Sequence, residues 1–172
     1  MVDDLFRLLL DHLSSEGSYT IIVSGPVGSG KTRLIKKVVA RLKREDKEPG
    51  GVLSPRLMNS GETVGYDVVN LTTGDRRSFV RSNPPGRKVG RFFLKPDGLK
   101  FANRAVSEAA GVRDPVFVDE VGRLELEDNG LAPSVKELLS SRSQAVLLVR
   151  DEFVPEAREV FEISEYDEIK VG

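Results

Sequence analysis

An eight-residue segment near the start of the chain, Gly25-Pro-Val-Gly-Ser-Gly-Lys-Thr32, constrains the fold more than any other feature. It matches the pattern glycine, four residues, glycine, lysine, serine or threonine, which is typical of phosphate-binding loops. A β-branched apolar run at 19–24 precedes the segment, and a helical pattern follows it from Lys31 to about Arg44. A strand, a glycine-rich turn and a helix in this order predict an α/β domain that binds phosphate at the start of the helix.

Each part of this loop has its own expected task. The glycines let the backbone curl so that its N–H groups point at the phosphates. Lys31 is expected to reach the β- and γ-phosphates, and the Thr32 hydroxyl is expected to ligate Mg²⁺. The predicted nucleotide-binding set is therefore the whole loop with the two side chains that end it: Gly25, Pro26, Val27, Gly28, Ser29, Gly30, Lys31 and Thr32.

The segment Val116-Phe-Val-Asp-Glu120 predicts the second half of the site. Three apolar residues indicate a buried strand, whose end is expected to present Asp119 near the metal, through water, as the second Mg²⁺ anchor. Glu120 follows directly and is expected to polarise the attacking water. Ordinary strands also end in acidic pairs, but the phosphate loop upstream favours the catalytic interpretation.

Apolar strands and amphipathic helices alternate, which predicts a single domain over 1–172 with a parallel sheet covered on both faces. We expect the three-layer fold of phosphate-loop NTPases, with nucleotide at the carboxyl ends of the strands. The acidic pair predicts a five-strand core in the order 5-1-4-3-2, for strands near 167–171, 19–24, 145–149, 115–119 and 51–54.

Three further segments complete the predicted organisation. Residues 64–94 are expected to form an antiparallel hairpin extension, with strands at 64–71, 76–81 and 89–94, followed by a helix at 99–110. Residues 1–18 contain an amphipathic helix, capped by Asp3 or Asp4 and ended by Gly17. Its apolar stripe is expected to lie on the core through Leu5, Leu8, Leu9 and Leu13.

The formal net charge of −1 conceals a polarised chain, because residues 72–113 carry a net +7 and residues 114–172 a net −9. Arginines inside and outside this basic block could meet the charge on a transferring phosphate. Arg123, which follows the acidic pair, is the first candidate. The others are Arg87 and Arg91, then Arg56 and Arg150; Arg150 either senses phosphate or is an ordinary surface charge.

Several classes of function are excluded by composition. The chain has no cysteine and one histidine, so it has no disulfides, thiolate metal sites or histidine clusters. No apolar run approaches the ~20 residues that span a bilayer, and the acidic start does not suit a signal peptide, so we expect a cytoplasmic protein. The guanine-reading sequence Asn-Lys-x-Asp is absent, which argues against a guanine-specific switch GTPase.

In this order, the motifs resemble the thermostable nucleoside-triphosphatase family, whose vertebrate members are called cancer-related nucleoside-triphosphatases. The resemblance runs from about 19 to 161, and 119–125 is its most specific part. It rests on the phosphate loop, Gly51-Val-Leu-Ser54, Val64-Gly-Tyr-Asp67, Val89-Gly-Arg91 and Val118-Asp-Glu-Val-Gly-Arg-Leu-Glu125.

The resemblance implies a RecA-like fold and slow Mg²⁺-dependent hydrolysis of several nucleoside triphosphates. It implies that Asp119 anchors Mg²⁺, that Glu120 activates water and that Arg123 takes the family's basic position. The chain departs from the family at Pro55, where an acidic residue is usual, and at Glu62-Thr63, where basic residues are usual.

We therefore predict a hydrolase of ATP, GTP and other nucleoside triphosphates. One alternative is a small nucleoside or nucleotide kinase, with arginine-rich 76–91 as its lid. Another is an ATP-dependent nucleic-acid-binding module, because the basic block contains Phe79, Phe92, Phe93 and Phe101. We favour the interpretation in which these phenylalanines belong to the core. The sequence does not indicate an oligomeric state.

Overall fold

Alternating strand and helix patterns in the sequence become alternating elements in the computed structural model, which describes residues 1–13 and 18–172. The helices are α1 (Val2–Leu13), α2 (Lys31–Arg44), α3 (Pro96–Ala109), α4 (Arg123–Leu126), α5 (Ala132–Leu139) and α6 (Val154–Val160), with a 3₁₀ turn at Asp151–Phe153. The strands are β1 (Thr20–Ser24), β2 (Gly50–Leu53), β3 (Arg56–Asn59), β4 (Glu62–Asn70), β5 (Arg76–Arg81), β6 (Arg87–Val89), β7 (Phe92–Leu94), β8 (Val116–Val121), β9 (Ala145–Val149) and β10 (Asp167–Lys170).

The core of the sheet is parallel and has the order β10-β1-β9-β8-β2. This is the predicted order 5-1-4-3-2, which is confirmed. The strand β9 lies in the middle and is buried along its whole length, as its uninterrupted apolar sequence requires. Because the five strands are parallel, their carboxyl ends meet at one edge of the sheet.

Helices cover both faces of this core, as a three-layer fold requires. Successive β1 residues point to opposite faces, so that Ile22 belongs to one apolar cluster while Ile21 and Val23 belong to the other. The first cluster includes residues of α3, α5 and α6, and the second includes residues of α1 and α2. The predicted α/β architecture is confirmed.

The N-terminal helix packs on the core as predicted, since Leu5 and Leu9 are fully buried. It begins at Val2, so Asp3 and Asp4 lie within its first turn and the predicted cap is wrong. The predicted end at Gly17 and the side chain of Leu13 lie outside the described residues. Among the residues that the structure describes, no helix is long and apolar enough to cross a membrane.

The antiparallel extension covers residues 56–94, more than the predicted 64–94, and we call it the wing. It joins the core through β4, which pairs with β2 only at Val52↔Asn70 and Leu53↔Val69. The rest of β4 continues beyond the carboxyl end of β2, where it pairs with β3, a strand that the sequence analysis missed. The wing therefore projects past the edge of the sheet that the parallel strands share.

The prediction of one strand over 89–94 is wrong. This segment contains the end of β6, a tight turn and β7, with Val89 paired to Phe92 across the turn. Gly90 permits the turn because its φ of 61° is in the left-handed region, which glycine adopts without strain. An apolar and basic run that looks continuous is thereby divided into two antiparallel strands.

One face of the wing is covered by α3. This helix begins at Pro96, three residues before the predicted start, because proline is well tolerated in the first turn. Phe79 and Phe101 pack against the first core cluster, which confirms the core interpretation for these two side chains.

On the wing, hydrogen bonds from Arg81 and Arg76 outweigh the effect of burial and lower the pKa of Asp67.

Candidate active site

The predicted site residues converge at the carboxyl edge of the core strands. The phosphate loop follows β1, Asp119 and Glu120 lie near the end of β8, and Arg150 follows β9. Ser54 follows β2 at the same edge. Edges of this kind are where ligands bind in open α/β sheets.

The phosphate loop has the backbone that its glycines predict. Gly28 and Gly30 have φ angles of 78° and 95°, and α2 begins directly afterwards at Lys31. The Lys31 side chain is buried, and its Nζ donates to the carbonyl oxygens of Gly25 at 2.7 Å and Pro26 at 3.1 Å. The ammonium group thus lies across the start of the loop, beside the N-terminus of α2.

The two predicted metal ligands are in direct contact. Thr32 Oγ1 donates a 2.7 Å hydrogen bond to Asp119 Oδ2, although the residues are 87 positions apart in the sequence. Burial raises the pKa of Asp119 to about 6, while hydrogen bonds from Ser54 and Thr32 act in the opposite direction. A buried carboxylate of this kind is stabilised in its ionised form by a nearby cation.

Ser54 holds Asp119 from the other side, and the sequence analysis missed this role. Its backbone N–H donates to Asp119 Oδ2 at 3.0 Å, and its Oγ donates to the Asp119 carbonyl oxygen at 2.7 Å. The sequence signal for this role was the position of Ser54 after the second core strand, since residues that follow parallel strands lie at the same edge of the sheet.

The oxygen ligands here suit Mg²⁺ bound together with phosphate. Among residues 1–13 and 18–172, no group of three or more histidine or acidic side chains could hold a metal ion. Magnesium usually takes one or two protein oxygens and completes its shell with water and substrate phosphates. The Thr32 hydroxyl and the Asp119 carboxylate provide such a pair.

Glu120 lies at an irregularity of the sheet and does not continue the buried pattern of β8. In the pairing with β9, Asp119 is opposite Leu148 and Val121 is opposite Val149, which leaves Glu120 as an extra residue. Its side chain is 33% exposed, and Oε1 lies 3.4 Å from Arg150 Nε. The carboxylate is therefore accessible to solvent, as a water-activating group must be.

The candidate arginines are in different places. Arg123 is exposed at the start of α4, with Cζ 4.9 Å from the centre of the Phe153 ring. Arg150 Cζ lies 5.8 Å from the centre of the same ring. Phe153 was not predicted from sequence.

The other candidates lie on the wing. Six strands separate β6, which carries Arg87, from β1. Arg91 lies in the turn after β6, where Nη2 donates to the Thr63 carbonyl oxygen at 3.2 Å. Arg56 is exposed at the start of β3. The structure therefore does not bring Arg87 and Arg91 to the phosphate loop.

Glu125 is a buried acid that the sequence analysis did not single out. Its two carboxylate oxygens accept backbone N–H bonds from Gly122 and Leu131, each at 2.9 Å. Burial raises the pKa of Glu125 to about 7, although these hydrogen bonds oppose the increase. The side chain ties the segment after Glu120 to the start of α5. The sequence signal for this role is its place as the third residue of a short helix, where a glutamate side chain accepts a hydrogen bond from the backbone N–H of the capping residue.

Replacing Glu125 by glutamine should weaken the pH dependence of stability. The pKa of about 7 in the folded protein exceeds the ordinary 4.5, so ionisation disfavours the folded state. The free energy of unfolding of the unmodified chain should therefore fall by up to about 3 kcal/mol as the pH rises through this window. Glu125→Gln should lack the part of this decrease that Glu125 causes and keep the part that follows from the raised pKa of Asp119. Urea unfolding at pH 5, 6, 7 and 8 measures it.

The exposed Glu127 supplies the matched control, because Glu127→Gln should keep the pH dependence of the unmodified chain. An unchanged pH dependence in Glu125→Gln would show that this carboxyl does not titrate in the window.

The chain is similar to known proteins over most of its length. The model of a protein family described as NTPase matches residues 20–171. The nucleoside-triphosphatase THEP1 of Methanopyrus kandleri is 32% identical over 133 residues, which cover 77% of this chain and 74% of the relative. The protein of the same name from Thermococcus kodakarensis is 28% identical over 148 residues, with coverages of 83% and 82%.

Two solved structures resemble the chain in fold. THEP1 from the hyperthermophile Aquifex aeolicus gives a TM-score of 0.65 at 22% identity, over 88% of this chain and 89% of that one. A human cancer-related nucleoside triphosphatase gives a TM-score of 0.66, also at 22% identity, over 88% of both chains. At this identity the likeness concerns the fold alone.

Proposed function

Because the chain belongs to the NTPase family, whose model spans residues 20–171, we propose that it hydrolyses nucleoside triphosphates to nucleoside diphosphate and phosphate with Mg²⁺. Membership in this family confirms the resemblance noted in the sequence motifs, of which 119–125 is the most specific part. The observation that carries the proposal is the 2.7 Å contact of Thr32 with Asp119, which unites the phosphate loop and the acidic strand end.

Binding of the triphosphate uses the loop and the start of α2. The backbone N–H groups and the N-terminal field of the helix favour the β-phosphate. Lys31 exchanges its contacts with the Gly25 and Pro26 carbonyl oxygens for the β- and γ-phosphate oxygens. Thr32 and Asp119 would hold Mg²⁺, and the bound ion would neutralise charge on the phosphates.

Hydrolysis needs a water molecule placed on the far side of the γ-phosphorus from the leaving diphosphate. Glu120 accepts a proton from this water while the water oxygen attacks phosphorus. At the same time, the bond between phosphorus and the bridging oxygen breaks. The electron pair of that bond leaves with the diphosphate. Because Glu120 is partly exposed, water has access to it.

The proposed substrates are ATP, GTP and other nucleoside triphosphates. The residues assigned above act on phosphate, metal and water, and none of them reads a nucleobase. A phosphate-release assay with ATP, GTP, CTP and UTP tests this, with EDTA in place of Mg²⁺ as the control. We expect free phosphate from several of the four and none with EDTA.

The same assay distinguishes the hydrolase from a kinase. With γ-labelled ATP and added nucleosides or monophosphates, a hydrolase releases the label as free phosphate. Label found on an acceptor would replace the proposed function by phosphoryl transfer. Absence of both products from every nucleotide would refute the proposal.

A further inference from the structure

Arg150 occupies a central position at the nucleotide edge of the sheet. It follows β9 directly, and the last residue of that strand, Val149, pairs with Ser24 on one side and Val121 on the other. Ser24 precedes the phosphate loop, while Val121 follows the acidic pair. The Arg150 backbone is therefore fixed between the two halves of the proposed site.

The contacts of its side chain hold it only loosely. Arg150 Nε lies 3.4 Å from Glu120 Oε1, longer than a charge-assisted hydrogen bond, and one Nη lies 3.9 Å from Glu152 Oε1. The Nε atom is nevertheless buried, and it has no hydrogen-bond partner among the described residues. Both members of the Glu120–Arg150 pair are about one-third exposed, at 33% and 39%, and such pairs contribute little stability.

Arrival of a triphosphate creates a competition at this place. The γ-phosphate is a stronger acceptor for a guanidinium than one carboxylate oxygen, because it offers more charge and paired oxygens. The carboxylate of Glu120 would also repel the γ-phosphate if Arg150 left it uncompensated. A guanidinium that changes its partner from Glu120 to the γ-phosphate gains the stronger acceptor and compensates the charge that Glu120 would otherwise repel.

We propose that Arg150 is a γ-phosphate-reading residue that pairs with Glu120 before a triphosphate binds and transfers to the γ-phosphate afterwards. The transfer frees the Glu120 carboxylate to accept the proton of water. The inference rests on the proposed function, and it adds a specificity: the chain distinguishes triphosphate from diphosphate through Arg150. Arg123 differs, because in the described part of the chain it has no ion pair with Glu120.

Binding measurements test the exchange without relying on hydrolysis. Dissociation constants of ADP and of the non-hydrolysable analogue AMP-PNP are measured with Mg²⁺ by calorimetry. Arg150→Ala should weaken AMP-PNP binding about 10-fold and leave ADP binding within about twofold. Arg150→Lys, which keeps the charge, should restore part of the loss. Circular dichroism confirms that the variants are folded.

Arg158→Ala is the matched control. Arg158 is another half-buried arginine, with a buried Nε that lacks a hydrogen-bond partner within 1–13 and 18–172 and a guanidinium 4.4 Å from the centre of the Tyr166 ring. It lies on α6 and is not part of the proposed site. Its replacement should change neither dissociation constant.

A double-mutant cycle separates partner exchange from simple repulsion. Glu120→Gln should tighten AMP-PNP binding, both by removing repulsion and by releasing Arg150. In the Arg150→Ala background only the repulsion remains, so the same substitution should give a smaller gain. An equal gain in both backgrounds would overturn the exchange.

The remaining outcomes are also decisive. If Arg150→Ala weakens ADP and AMP-PNP equally, or affects neither, Arg150 does not read the γ-phosphate and this inference fails while hydrolysis stands. If the unmodified chain binds neither nucleotide, the proposed function fails first. If it binds both and discriminates through Arg150 but releases no phosphate, only the hydrolytic role fails.

Discussion

Replacing Glu120 by glutamine is expected to slow phosphate release by roughly 10²- to 10⁴-fold, the usual contribution of a positioned general base. Glutamine has nearly the same shape but cannot accept the proton of the attacking water. The affinity for ADP should be retained, because the loop, Lys31 and the Thr32–Asp119 pair are unchanged. Single-turnover phosphate release and the dissociation constant of ADP provide the two measurements.

Glu152 provides the control for this experiment. Its carboxylate also approaches Arg150, at 3.9 Å, but it is 64% exposed and follows β9 rather than β8. Glu152→Gln should leave the rate within about twofold. A Glu120→Gln variant that kept the full rate would mean that another group activates the water.

The second large effect is expected at Lys31. Lys31→Ala removes the ammonium group that lies at the start of the loop, so charge on the β- and γ-phosphates is compensated less well. We expect kcat/KM to fall by about 10²- to 10³-fold, comparable to the loss of a strong donor in other active sites. Steady-state kinetics over a range of ATP concentrations measures this, together with a binding isotherm.

The exposed Lys36 of the same helix is the matched control, and Lys36→Ala should keep the activity of the unmodified chain. Unchanged kcat/KM in Lys31→Ala would contradict the assignment of this loop as the phosphate site. Circular dichroism of Lys31→Ala tests whether a loss of folding causes the loss of activity.

The sequence was sufficient to predict the core and half of the site because those signals are local. The strand Ala145–Val149 was predicted at its observed bounds, since five consecutive apolar residues suit the middle of a parallel sheet. The phosphate loop is specified by glycine spacing. The meeting of Thr32 and Asp119 followed from the rule that parallel strands end at one edge.

The features that were missed depend on partners that no local pattern reveals. Ser54 and Glu125 act through bonds with the backbone of distant residues, and a backbone N–H has no sequence signature. The division of 89–94 depends on a glycine turn inside an apolar run. The Glu120–Arg150 pair joins a side chain of β8 to one that directly follows the neighbouring strand β9, and this pairing depends on the order of the strands in the sheet.

The position of Asp119 has a consequence for the order in which activity can arise during folding. Its partners Thr32 and Ser54 are 87 and 65 residues away, so these contacts close long loops and carry a large entropic cost early in folding. A fragment that contains only the glycine-rich motif cannot assemble this cluster. Competence for catalysis is therefore a property of the finished sheet, and a nucleotide that binds the cluster stabilises the whole chain by mass action.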